Sequence, residues 1–527
     1  MASRTSPPDV LLVNLPRTRH DLSVPLGLLS LAACLDPAAR RAAILDFDLL
    51  LKLDSFPSDG TFVEKAVDTA ASTGAKIFGI TGDCANYPLV VSFASSLKDE
   101  IPAATVILGG PHASLIARET LEAFPAVDIV VIGEGEDTFP ELMEALLLGR
   151  PFAGVRGIAY RRDGAVVFTE PRPLKDRLDD LPLPSFEAYP TREYLALFPA
   201  RGVGPCLPVE AGRGCPKGCT FCSTSVMWRR TCRCKTPTRV LRELSSLERE
   251  YGVTCFELLH DNLAFDNSFL TSLCTLLTER SPGYVWTCSV STDRLSPDLL
   301  RLMAQAGCSG VLLGIETGSP RMQKTIGKNL DLEHADEVRA LCVEAGIAIS
   351  AAFMVGFPEE TEDDLALTLT KALDWALHGS EIRLAQLAPL PGTATHRSQA
   401  RHLVLGHTPP SGCTPFVEAP RQRELLARHP DVFSSFYTVP TKHPLGLELP
   451  RLVAFFDVML NHYPQAFSQL LLCDITHAGG PLELFRRWSQ WWDRTRPSEP
   501  VTRNGVFFTF HEFIDRLAES PAATPAD

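Results

Sequence analysis

One segment decides the fold of this chain: Gly212-Arg213-Gly214-Cys215-Pro216-Lys217-Gly218-Cys219-Thr220-Phe221-Cys222-Ser223-Thr224. Its three thiols are separated by three residues and then by two. The proline and glycine between Cys215, Cys219 and Cys222 favour a turn, which brings the thiols together. Three thiolates can bind three irons of a [4Fe–4S] cubane and leave the fourth iron open. Zinc prefers four ligands in paired spacings, so a zinc knuckle fits this segment less well.

Composition limits the classes of protein that this chain can be. Its 527 residues are too many for one ordinary core, which predicts two or three domains. Apolar residues make up 45% and charged residues 21%, a balance typical of globular proteins. No run of about 18 apolar residues is present, and Met1–Asp9 lacks the basic and apolar parts of a signal peptide. We therefore expect a cytoplasmic protein.

The cysteine content indicates the redox environment of the protein, and its net charge limits the kinds of partner that it can bind. The fifteen cysteines are spread along a chain without a leader and are expected to be reduced thiols, which suits an oxygen-labile cluster. The net charge of −13 argues against a nucleic-acid partner, because such binding depends on Lys and Arg neutralising phosphates. The short basic run from Arg229 to Lys235 is expected to be solvated or to face a cofactor.

The N-terminal part alternates short apolar runs with helical patterns such as Leu26–Cys34 and Phe139–Leu148. This alternation predicts a parallel, doubly wound sheet of the flavodoxin or Rossmann type, whose ligands bind at the carboxyl ends of the strands. The predicted strands are Val10–Val13, Ala42–Leu45, Ile77–Ile80, Val106–Leu108 and Ile129–Ile132. The loops after four of them are Asn14-Leu15-Pro16, Thr81-Gly82-Asp83, Gly109-Gly110-Pro111-His112 and Gly133-Glu134-Gly135-Glu136.

A second periodic region follows a connection with a hairpin-like turn at Asp163-Gly164. Six βα units are too few for a closed eight-stranded barrel but suit an open, partial TIM-like barrel with chemistry at its carboxyl-end loops. From about Gly406 the pattern changes to apolar helices at Leu449–His462 and Tyr463–Leu472, which predicts a separate small domain. The predicted barrel strands are Leu207–Ala211, Thr254–Leu259, Tyr284–Val290, Gly310–Ile315, Ile347–Val355 and Ile382–Leu387.

From about Val10 to Thr395 the chain resembles the cobalamin-dependent (class B) radical S-adenosylmethionine (SAM) enzymes, with an N-terminal cobalamin-binding domain and a radical SAM barrel. The motifs that carry the resemblance are the cysteine triplet, Val24-Pro25-Leu26-Gly27-Leu28, the loops at Gly109 and Gly133, Asp261-Asn262, Gly314-Ile315-Glu316-Thr317-Gly318-Ser319, Gly356-Phe357-Pro358-Glu359-Glu360-Thr361, and Pro389-Leu390-Pro391-Gly392-Thr393.

The resemblance implies an arrangement of segments along the chain. Its parts are a cobalamin domain at 1–150, a linker at 151–204, the radical SAM barrel at 205–400, a mainly helical domain at 401–518 and a disordered tail at 519–527. The tail is rich in Ala, Pro and Ser, which favours fraying at a terminus.

The resemblance also implies roles around the cluster. The open iron would chelate SAM, Phe221 would lie beside its adenine, and Glu316 with Gly356-Phe357-Pro358 would help to seat it. A structural salt bridge is the alternative for Glu316, and a simple strand-end turn is the alternative for Gly356-Phe357-Pro358. Asp261 belongs to the motif Asp261-Asn262 of the resemblance, and the alternative to a role in the family's site is that it caps the N-terminus of a helix.

For cobalamin, the resemblance implies binding by the loops of the N-terminal sheet. The motif Asp-x-His-x-x-Gly, whose His binds cobalt in methionine-synthase-like domains, does not occur, so no lower ligand from the protein is predicted. His20 and His112 are the two histidines that could contradict this, and His112 is expected at the nucleotide tail or corrin edge. The candidate cobalamin-binding residues are Asn14, Pro16, Gly82, Gly109, Gly110, His112, Gly133, Glu134 and Gly135.

The activity expected from this resemblance is C-methylation of a small specialised metabolite, as in antibiotic biosynthesis. SAM would supply a 5′-deoxyadenosyl radical and methylcobalamin the methyl group, with a flavodoxin- or ferredoxin-type protein as electron donor. Ring contraction, cyclisation or carbon–sulfur bond formation is the alternative within the same class, and an aromatic-carbon methylation without the radical is a variant. A non-enzymatic cobalamin sensor is the remote alternative.

Four further cysteines leave their roles open. Cys232 and Cys234 are an auxiliary ligand pair, a redox couple or incidental neighbours of the triplet. Cys84 and Cys288 are expected to be small buried hydrophobes.

Overall fold

Two parallel sheets and a layer of C-terminal helices make up the computed structural model. The described residues are 7–17, 22–35, 41–198, 206–280, 283–406, 410, 416, 419–472, 480–497, 499 and 501–519. Residues 520–527, most of the predicted tail, lie outside them.

The N-terminal sheet has seven strands in the order β2-β1-β3-β4-β5-β6-β7. Its first five strands are parallel, and the predicted doubly wound sheet is confirmed. The expectation of a five-stranded sheet is incomplete, because the hairpin of the connecting segment adds two antiparallel strands at one edge. The strands are β1 (Val10–Asn14), β2 (Ala42–Asp46), β3 (Ile77–Thr81), β4 (Thr105–Gly109), β5 (Ile129–Val131), β6 (Ile158–Arg162) and β7 (Ala165–Phe168).

Helices cover both faces of this sheet, so its central strands are continuous apolar runs; all five residues of β1 are buried. The order 2-1-3-4-5 reverses direction between β1 and β3, and ligands of open sheets bind at such a switch point. The helices up to the barrel are α1 (Leu26–Cys34), α2 (Phe47–Lys52), α3 (Phe62–Ser72), α4 (Tyr87–Glu100), α5 (Pro111–Leu115), α6 (Ala117–Ala123), α7 (Thr138–Leu147) and α8 (Thr191–Ala196).

The second sheet has six parallel strands in the order β15-β14-β13-β12-β11-β8, which confirms the open, partial barrel. A separate short hairpin, β9–β10, lies beside the cysteine segment. The strands are β8 (Cys206–Glu210), β9 (Gly212–Arg213), β10 (Arg233–Cys234), β11 (Cys255–Leu259), β12 (Val285–Val290), β13 (Cys308–Glu316), β14 (Ala348–Val355) and β15 (Glu381–Gln386). The helices are α9 (Ser223–Met227), α10 (Pro237–Tyr251), α11 (Asn267–Arg280), α12 (Pro297–Gln305), α13 (Pro320–Thr325), α14 (Leu332–Glu344), α15 (Glu362–Leu377) and α16 (Ala394–Gln399).

The C-terminal region is mainly helical, as predicted, but it does not have a core of its own. Phe455 and Phe456 belong to the same buried apolar cluster as Phe353 of the barrel. The segment around Val432 and Phe433 packs instead into the core of the N-terminal domain. These apolar faces are therefore buried against the other two domains, and the division of the chain into a C-terminal domain at 401–518 stays a prediction. The helices are α17 (Ala419–Arg428), α18 (Leu449–His462), α19 (Pro464–Leu472), α20 (Gly480–Thr495) and α21 (Arg503–Glu519).

One pair of cysteines departs from the expectation of reduced thiols. Cys206 and Cys255 form a disulfide with a Cα–Cα distance of 4.5 Å. They are register partners on the adjacent parallel strands β8 and β11, which brings residues 49 positions apart together. Among the described residues, every helix is too short or too polar to cross a lipid bilayer.

Candidate cofactor sites at two facing sheet edges

The three cysteines lie on one irregular loop between β9 and α9, just after the first barrel strand. Cys215, Cys219 and Cys222 are all half-buried and free. The loop is tied to the rest of the barrel by the Thr220 amide, which donates to the Ile326 carbonyl at 2.9 Å. The sequence prediction of one shared loop agrees with this placement, and the proposed role of the thiols in binding iron remains a prediction.

Asp261 holds the start of the cysteine loop. Its Oδ2 accepts from the Gly214 amide at 2.6 Å, and its Oδ1 accepts from the Thr224 hydroxyl at 3.2 Å. A Cβ at Gly214 would come within 2.2 Å of the Thr231 carbonyl oxygen, so only glycine fits there. The helix N-cap alternative for Asp261 is wrong, since its carboxylate reaches across to the loop.

The environment of the loop favours the protonated form of two of its thiols, Cys215 and Cys219. Burial raises the pKa of the Cys219 thiol to about 11 and also raises the pKa of Cys215, while Lys328 acts in the opposite direction on both. The nearby Cys222 contributes to both increases, which indicates that the three sulfurs are close in space. Cluster assembly must therefore release protons from these thiols.

Lys328 is a residue that sequence reasoning missed. Its Nζ donates to Glu316 Oε1 at 2.9 Å, and both side chains are 12% exposed. Glu316 ends β13 with a φ of 66°, a left-handed conformation that is costly for a residue with a side chain. The geometry satisfies the salt-bridge alternative for Glu316 and also places it next to the cysteine loop, because it acts electrostatically on Cys219.

Phe221 and the Gly356-Phe357-Pro358 turn come together as the resemblance implies. The Phe221 ring contacts the buried Phe357 ring edge to face, with centroids 5.7 Å apart. Gly356 has a φ of 95°, and its amide donates to Glu360 Oε2 at 2.7 Å. The same Glu360 oxygen lies 3.3 Å from His443 Nε2, so the C-terminal region braces this turn.

A cleft of about 240 Å³ opens at the carboxyl edge of the N-terminal sheet. Five of the nine candidate cobalamin residues line it: Gly109, Gly110, Gly133, Glu134 and Gly135. Lining residues that sequence reasoning did not single out include Leu12, Leu31, Gly79, Thr81, Ile107, Phe139, Glu210, Arg213, Met227 and Trp228. Most of this second set is apolar, a character that core residues share, so the sequence does not distinguish these residues from the core.

Glycine and aliphatic side chains shape the cleft for a large, flat ligand. A Cβ at Gly79 would come within 2.9 Å of Leu12 Cδ2, and one at Gly135 within 2.8 Å of Leu31 Cδ2. Backbone is therefore exposed to the cleft where any side chain would collide with its walls. Apolar walls with a glycine-rich rim suit a macrocycle that carries an aromatic base, so the residues present fit cobalamin.

The other four candidate cobalamin residues do not line the cleft. Asn14 Nδ2 donates to Asp46 Oδ1 at 2.8 Å within the core, and Pro16 is buried outside the cleft. Gly82 lies against the Tyr87 ring, which a Cβ would approach to 3.0 Å. These positions follow strands as predicted, but they face the packed side of the sheet edge.

The position of His112 differs most clearly from the sequence prediction, which placed it at the nucleotide tail or corrin edge of cobalamin. It is buried against Tyr87, with ring centroids 4.5 Å apart, and its Nε2 donates to the Val432 carbonyl at 3.0 Å. It therefore points to the C-terminal region rather than to a corrin edge. Burial lowers the pKa of His112 to about 4, so it is neutral near pH 7. His20, the other histidine considered, lies outside the described residues.

Arg213 joins the two sheet edges. Its guanidinium donates to Glu134 at 2.7 Å and Glu136 at 2.5 Å on the N-terminal loop, and to Glu210 at 2.7 Å on the barrel. Arg233 also donates to Glu134, at 3.0 Å. Burial disfavours the charged guanidinium, but Glu210 and Glu136 outweigh it and raise the pKa of Arg213. The Gly133–Glu136 loop is thus fixed to the cysteine-bearing segment.

A second cavity of about 350 Å³ lies next to the cleft on the side of the barrel. Both share Pro111, Glu210, Arg213, Met227 and Trp228, so the two cavities adjoin between the N-terminal sheet edge and the barrel mouth. Further lining residues of the second cavity are Leu115, Gly212, Ser223, Thr224, Leu259, His260 and Asp261.

Two family profiles match the chain in the order that the sequence predicted. The profile of the B12 binding domain matches residues 17–143, and that of the radical SAM superfamily matches residues 209–372. The N-terminal match covers the cleft at the first sheet edge, and the second match covers the cysteine loop and Glu316. The predicted cofactors, cobalamin, a [4Fe–4S] cluster and SAM, are those of the matched families.

Several curated proteins and a solved structure are similar to the chain. An uncharacterized methyltransferase of Pyrococcus horikoshii is 31% identical over 58% of this chain, and the match spans less than two thirds of that protein, 64%. Cytidylyl-2-hydroxyethylphosphonate methyltransferase of Streptomyces wedmorensis is 30% identical over 66% of this chain and 73% of its own length. An anaerobic magnesium-protoporphyrin IX monomethyl ester cyclase of Rubrivivax gelatinosus is 31% identical over 53% of this chain and 50% of its own length.

The structure of OxsB, a cobalamin-dependent S-adenosylmethionine radical enzyme, has the same fold. It matches with a TM-score of 0.68 at 15% identity, over 97% of this chain and 80% of that chain. The fold, the two profiles and the Streptomyces relative agree with one another. On these grounds the chain belongs to the cobalamin-dependent radical SAM enzymes.

Proposed function

We propose that this enzyme transfers a methyl group from SAM, through methylcobalamin, to a carbon atom of a small specialised metabolite. The observation that carries the proposal is the pair of adjoining cavities between the B12 binding domain and the barrel, the second of which is lined by Ser223 and Thr224 directly after the cysteine loop. Both the P. horikoshii and the S. wedmorensis relatives are methyltransferases, which supports methylation over other outcomes of the class.

The residues at these cavities position reactants and exclude water. Cys215, Cys219 and Cys222 would hold the cluster, and Phe221 with Glu316 would seat SAM beside it. When bound, SAM on the cluster supplies hydrogen-atom abstraction, and methylcobalamin supplies the methyl group.

The walls between the two sheet edges favour such positioning. Met227, Trp228 and Leu115 are apolar and restrict water, while the carboxylate of Asp261 offers a polar contact to a substrate. Arg213 keeps the two sheet edges in register, so that the reacting groups stay aligned.

The methyl-transfer half of the reaction can be tested without the substrate. Hydroxocobalamin, an anaerobic reductant and SAM with a deuterated methyl group are added to the cluster-loaded enzyme. We expect labelled methylcobalamin and S-adenosylhomocysteine in equal amounts. Enzyme that binds hydroxocobalamin and SAM but forms no S-adenosylhomocysteine would exclude the methyltransferase proposal.

Full turnover then separates methylation from the cyclase-type alternative, which the R. gelatinosus relative favours. With extracts of the source organism as substrate, a radical C-methyltransferase gives equal 5′-deoxyadenosine and S-adenosylhomocysteine, with the label in the product. Deoxyadenosine alone indicates cyclisation or rearrangement, and S-adenosylhomocysteine alone indicates the aromatic-carbon mechanism.

The proposal includes an external electron donor and a cytoplasmic setting. A radical SAM cluster must receive one electron per SAM cleaved, and we propose a flavodoxin- or ferredoxin-type protein as the source. Reduced flavodoxin should replace a chemical reductant in the turnover assay. An oxygen-labile cluster favours the reducing cytoplasm.

A further inference from the structure

Two cysteines beyond the cluster triplet meet a histidine from another strand. Cys232 and Cys234 flank Arg233 on the β9–β10 hairpin, and His260 follows β11. Because side chains alternate along extended backbone, residues two apart point the same way. Both sulfurs therefore reach the same ring nitrogen, His260 Nε2, at 3.6 Å each.

The hairpin is built to admit this ring. Gly212 pairs with Cys234 across the hairpin, and a Cβ at Gly212 would come within 2.6 Å of the His260 ring and 2.5 Å of the Arg233 carbonyl oxygen. Any side chain at Gly212 would displace the imidazole. The three ligand atoms of Cys232, Cys234 and His260 lie within 4.8 Å of one another.

A metal ion is the obvious occupant of such a triad, but the other ring nitrogen argues against it. The backbone N–H of Asn262 points at His260 Nδ1 from 2.9 Å, so Nδ1 is the acceptor and the ring hydrogen lies on Nε2. A zinc ion on Nε2 would move that hydrogen to Nδ1, where two N–H groups would then face each other. The Asn262 amide thus makes His260 a donor to sulfur.

An N–H donor shared by two sulfurs stabilises a thiolate. We propose that Cys232 and Cys234 are a reversible dithiol–disulfide pair, with Cys232 as the reactive thiolate held by the Nε2–H of His260, that exchanges with low-molecular-weight disulfides. The pKa values of the two cysteines shift in opposite directions, as expected if Cys232 is the thiolate and Cys234 stays protonated. The neighbouring Cys234 and then His260 lower the pKa of Cys232 to about 5, while the Cys232 partner raises the pKa of Cys234.

The disulfide RSSR is the only oxidant that this thiol–disulfide exchange needs. The Cys232 thiolate attacks one sulfur of a disulfide RSSR, forms a mixed disulfide and releases RS⁻. Cys234 then loses its proton to solvent and attacks the Cys232 sulfur, which forms the intramolecular disulfide and releases the second RS⁻. Two protein thiols are oxidised, and one RSSR is reduced to two thiols. The site adjoins the second cavity, since His260 and Gly212 line it.

The first test measures thiol reactivity in the cluster-loaded full chain. Reduced enzyme is given a brief anaerobic pulse of N-ethylmaleimide, and the cysteines are mapped by mass spectrometry. Cys34 is the internal reference, because it is also half-buried but burial raises its pKa to about 12. We expect Cys232 to be labelled at least about tenfold faster than Cys34, since the thiolate is the nucleophile. Equal rates would overturn the proposal.

The second test is equilibrium with glutathione and glutathione disulfide as the probe. A chymotryptic peptide that contains both Cys232 and Cys234 should lose two hydrogens as the disulfide fraction rises and regain them with glutathione. A pair that stays reduced, or that stops at glutathione on Cys232, would contradict the proposal. Labelling of Cys232 is also followed across pH: His260→Ala should raise the pH at which its rate is half-maximal by about one unit, one unit of thiol pKa, whereas Cys34→Ser should leave that pH unchanged.

The third test addresses a metal directly. Zinc chloride is added to the reduced holoenzyme, and the excess is removed with a chelator. We expect no zinc to be retained at this site. One equivalent of chelator-resistant zinc that shields both thiols and disappears in the Cys232→Ser variant would overturn the proposal in favour of a metal centre.

Discussion

The cysteine loop and the cobalamin cleft both lie at carboxyl edges of parallel sheets, yet different features of the chain form them. The loop is specified by reactive side chains, namely three thiols at fixed spacing, and Asp261 holds it from a neighbouring strand. The cleft is specified by the absence of side chains at Gly79 and Gly135 and by aliphatic walls. A site that consists of reactive side chains can therefore be predicted from the sequence. A site that consists of a cavity can be identified only in the folded structure.

The largest expected effect comes from removing the loop thiols. In the triple variant Cys215→Ala, Cys219→Ala and Cys222→Ala, iron and sulfide content should fall to background, because no thiolates remain to bind the cluster. Formation of 5′-deoxyadenosine should stop with it. Cys34→Ala serves as the matched control and should keep full iron. A triple variant that retains its iron would show that the cysteine loop does not bind the cluster.

Filling the cleft should weaken cobalamin binding without disturbing the cluster. Gly27 lines the cleft on α1, and no atom lies within 4 Å of a Cβ placed there, so the backbone at Gly27 accepts a side chain and Gly27→Phe adds a ring at the cleft. Loss of about 3 kcal/mol of ligand contacts corresponds to about 100-fold weaker binding of hydroxocobalamin in a titration. Gly60→Phe, at another open glycine outside the cleft, is the control. Unchanged affinity in Gly27→Phe would place the cofactor elsewhere.

Arg213 tests whether the two edges depend on each other. Arg213→Met leaves Glu210 and Glu136 without their buried cation, so the free energy of unfolding should fall by about 3–5 kcal/mol. Denaturant unfolding measures this change. Arg301→Met is the control, because its ion pair with Asp298 is exposed and should contribute less than about 1 kcal/mol. If Arg213→Met and Arg301→Met lowered the free energy of unfolding equally, the two sheet edges would not depend on Arg213.

His112 gives a smaller effect that depends on pH. Its folded pKa, about 4, lies below the ordinary 6.5, so the unfolded chain binds a proton that the folded chain excludes. The contribution of neutral His112 is complete above pH 6.5 and is lost as pH falls toward 4, by about 3 kcal/mol in total. His112→Phe should flatten the decline in unfolding midpoint between pH 7 and 4.5 relative to the exposed-site control His402→Ala. An unchanged slope would show that His112 is accessible, as a corrin-edge role requires.

Most of the fold was predictable because burial produces a periodic pattern of apolar residues along the chain. β1 and the six barrel strands were expected within one or two residues of their observed bounds, since β1 is a continuous apolar run and strands such as β15 alternate buried and exposed residues. The hairpin at Asp163-Gly164 was also expected, but not its addition to the sheet, because edge pairing depends on which backbone groups are left open after folding.

The candidate sites were predictable in part, for the same reason. The thiols and the Gly109 and Gly133 loops are local patterns, and they lie at the expected edges. Lys328, Arg213 and the aliphatic walls escaped detection, because their roles come from partners brought near by the fold. His112 was placed at the cofactor because it follows a strand, yet its ring turns toward Val432, 320 residues further along the chain.

The sequence by itself determined the class of this enzyme: three cysteines at cluster spacing, two sets of parallel strands and the family motifs in order. Spacing along the chain is enough for this, since ligands on one loop and strands of one sheet are coded locally. The tertiary structure alone decided which loops share the cleft, how Arg213 links the two edges and why His260 donates to Cys232 and Cys234. Those relations join atoms from distant segments, and their energies depend on burial and direction, which no linear pattern records.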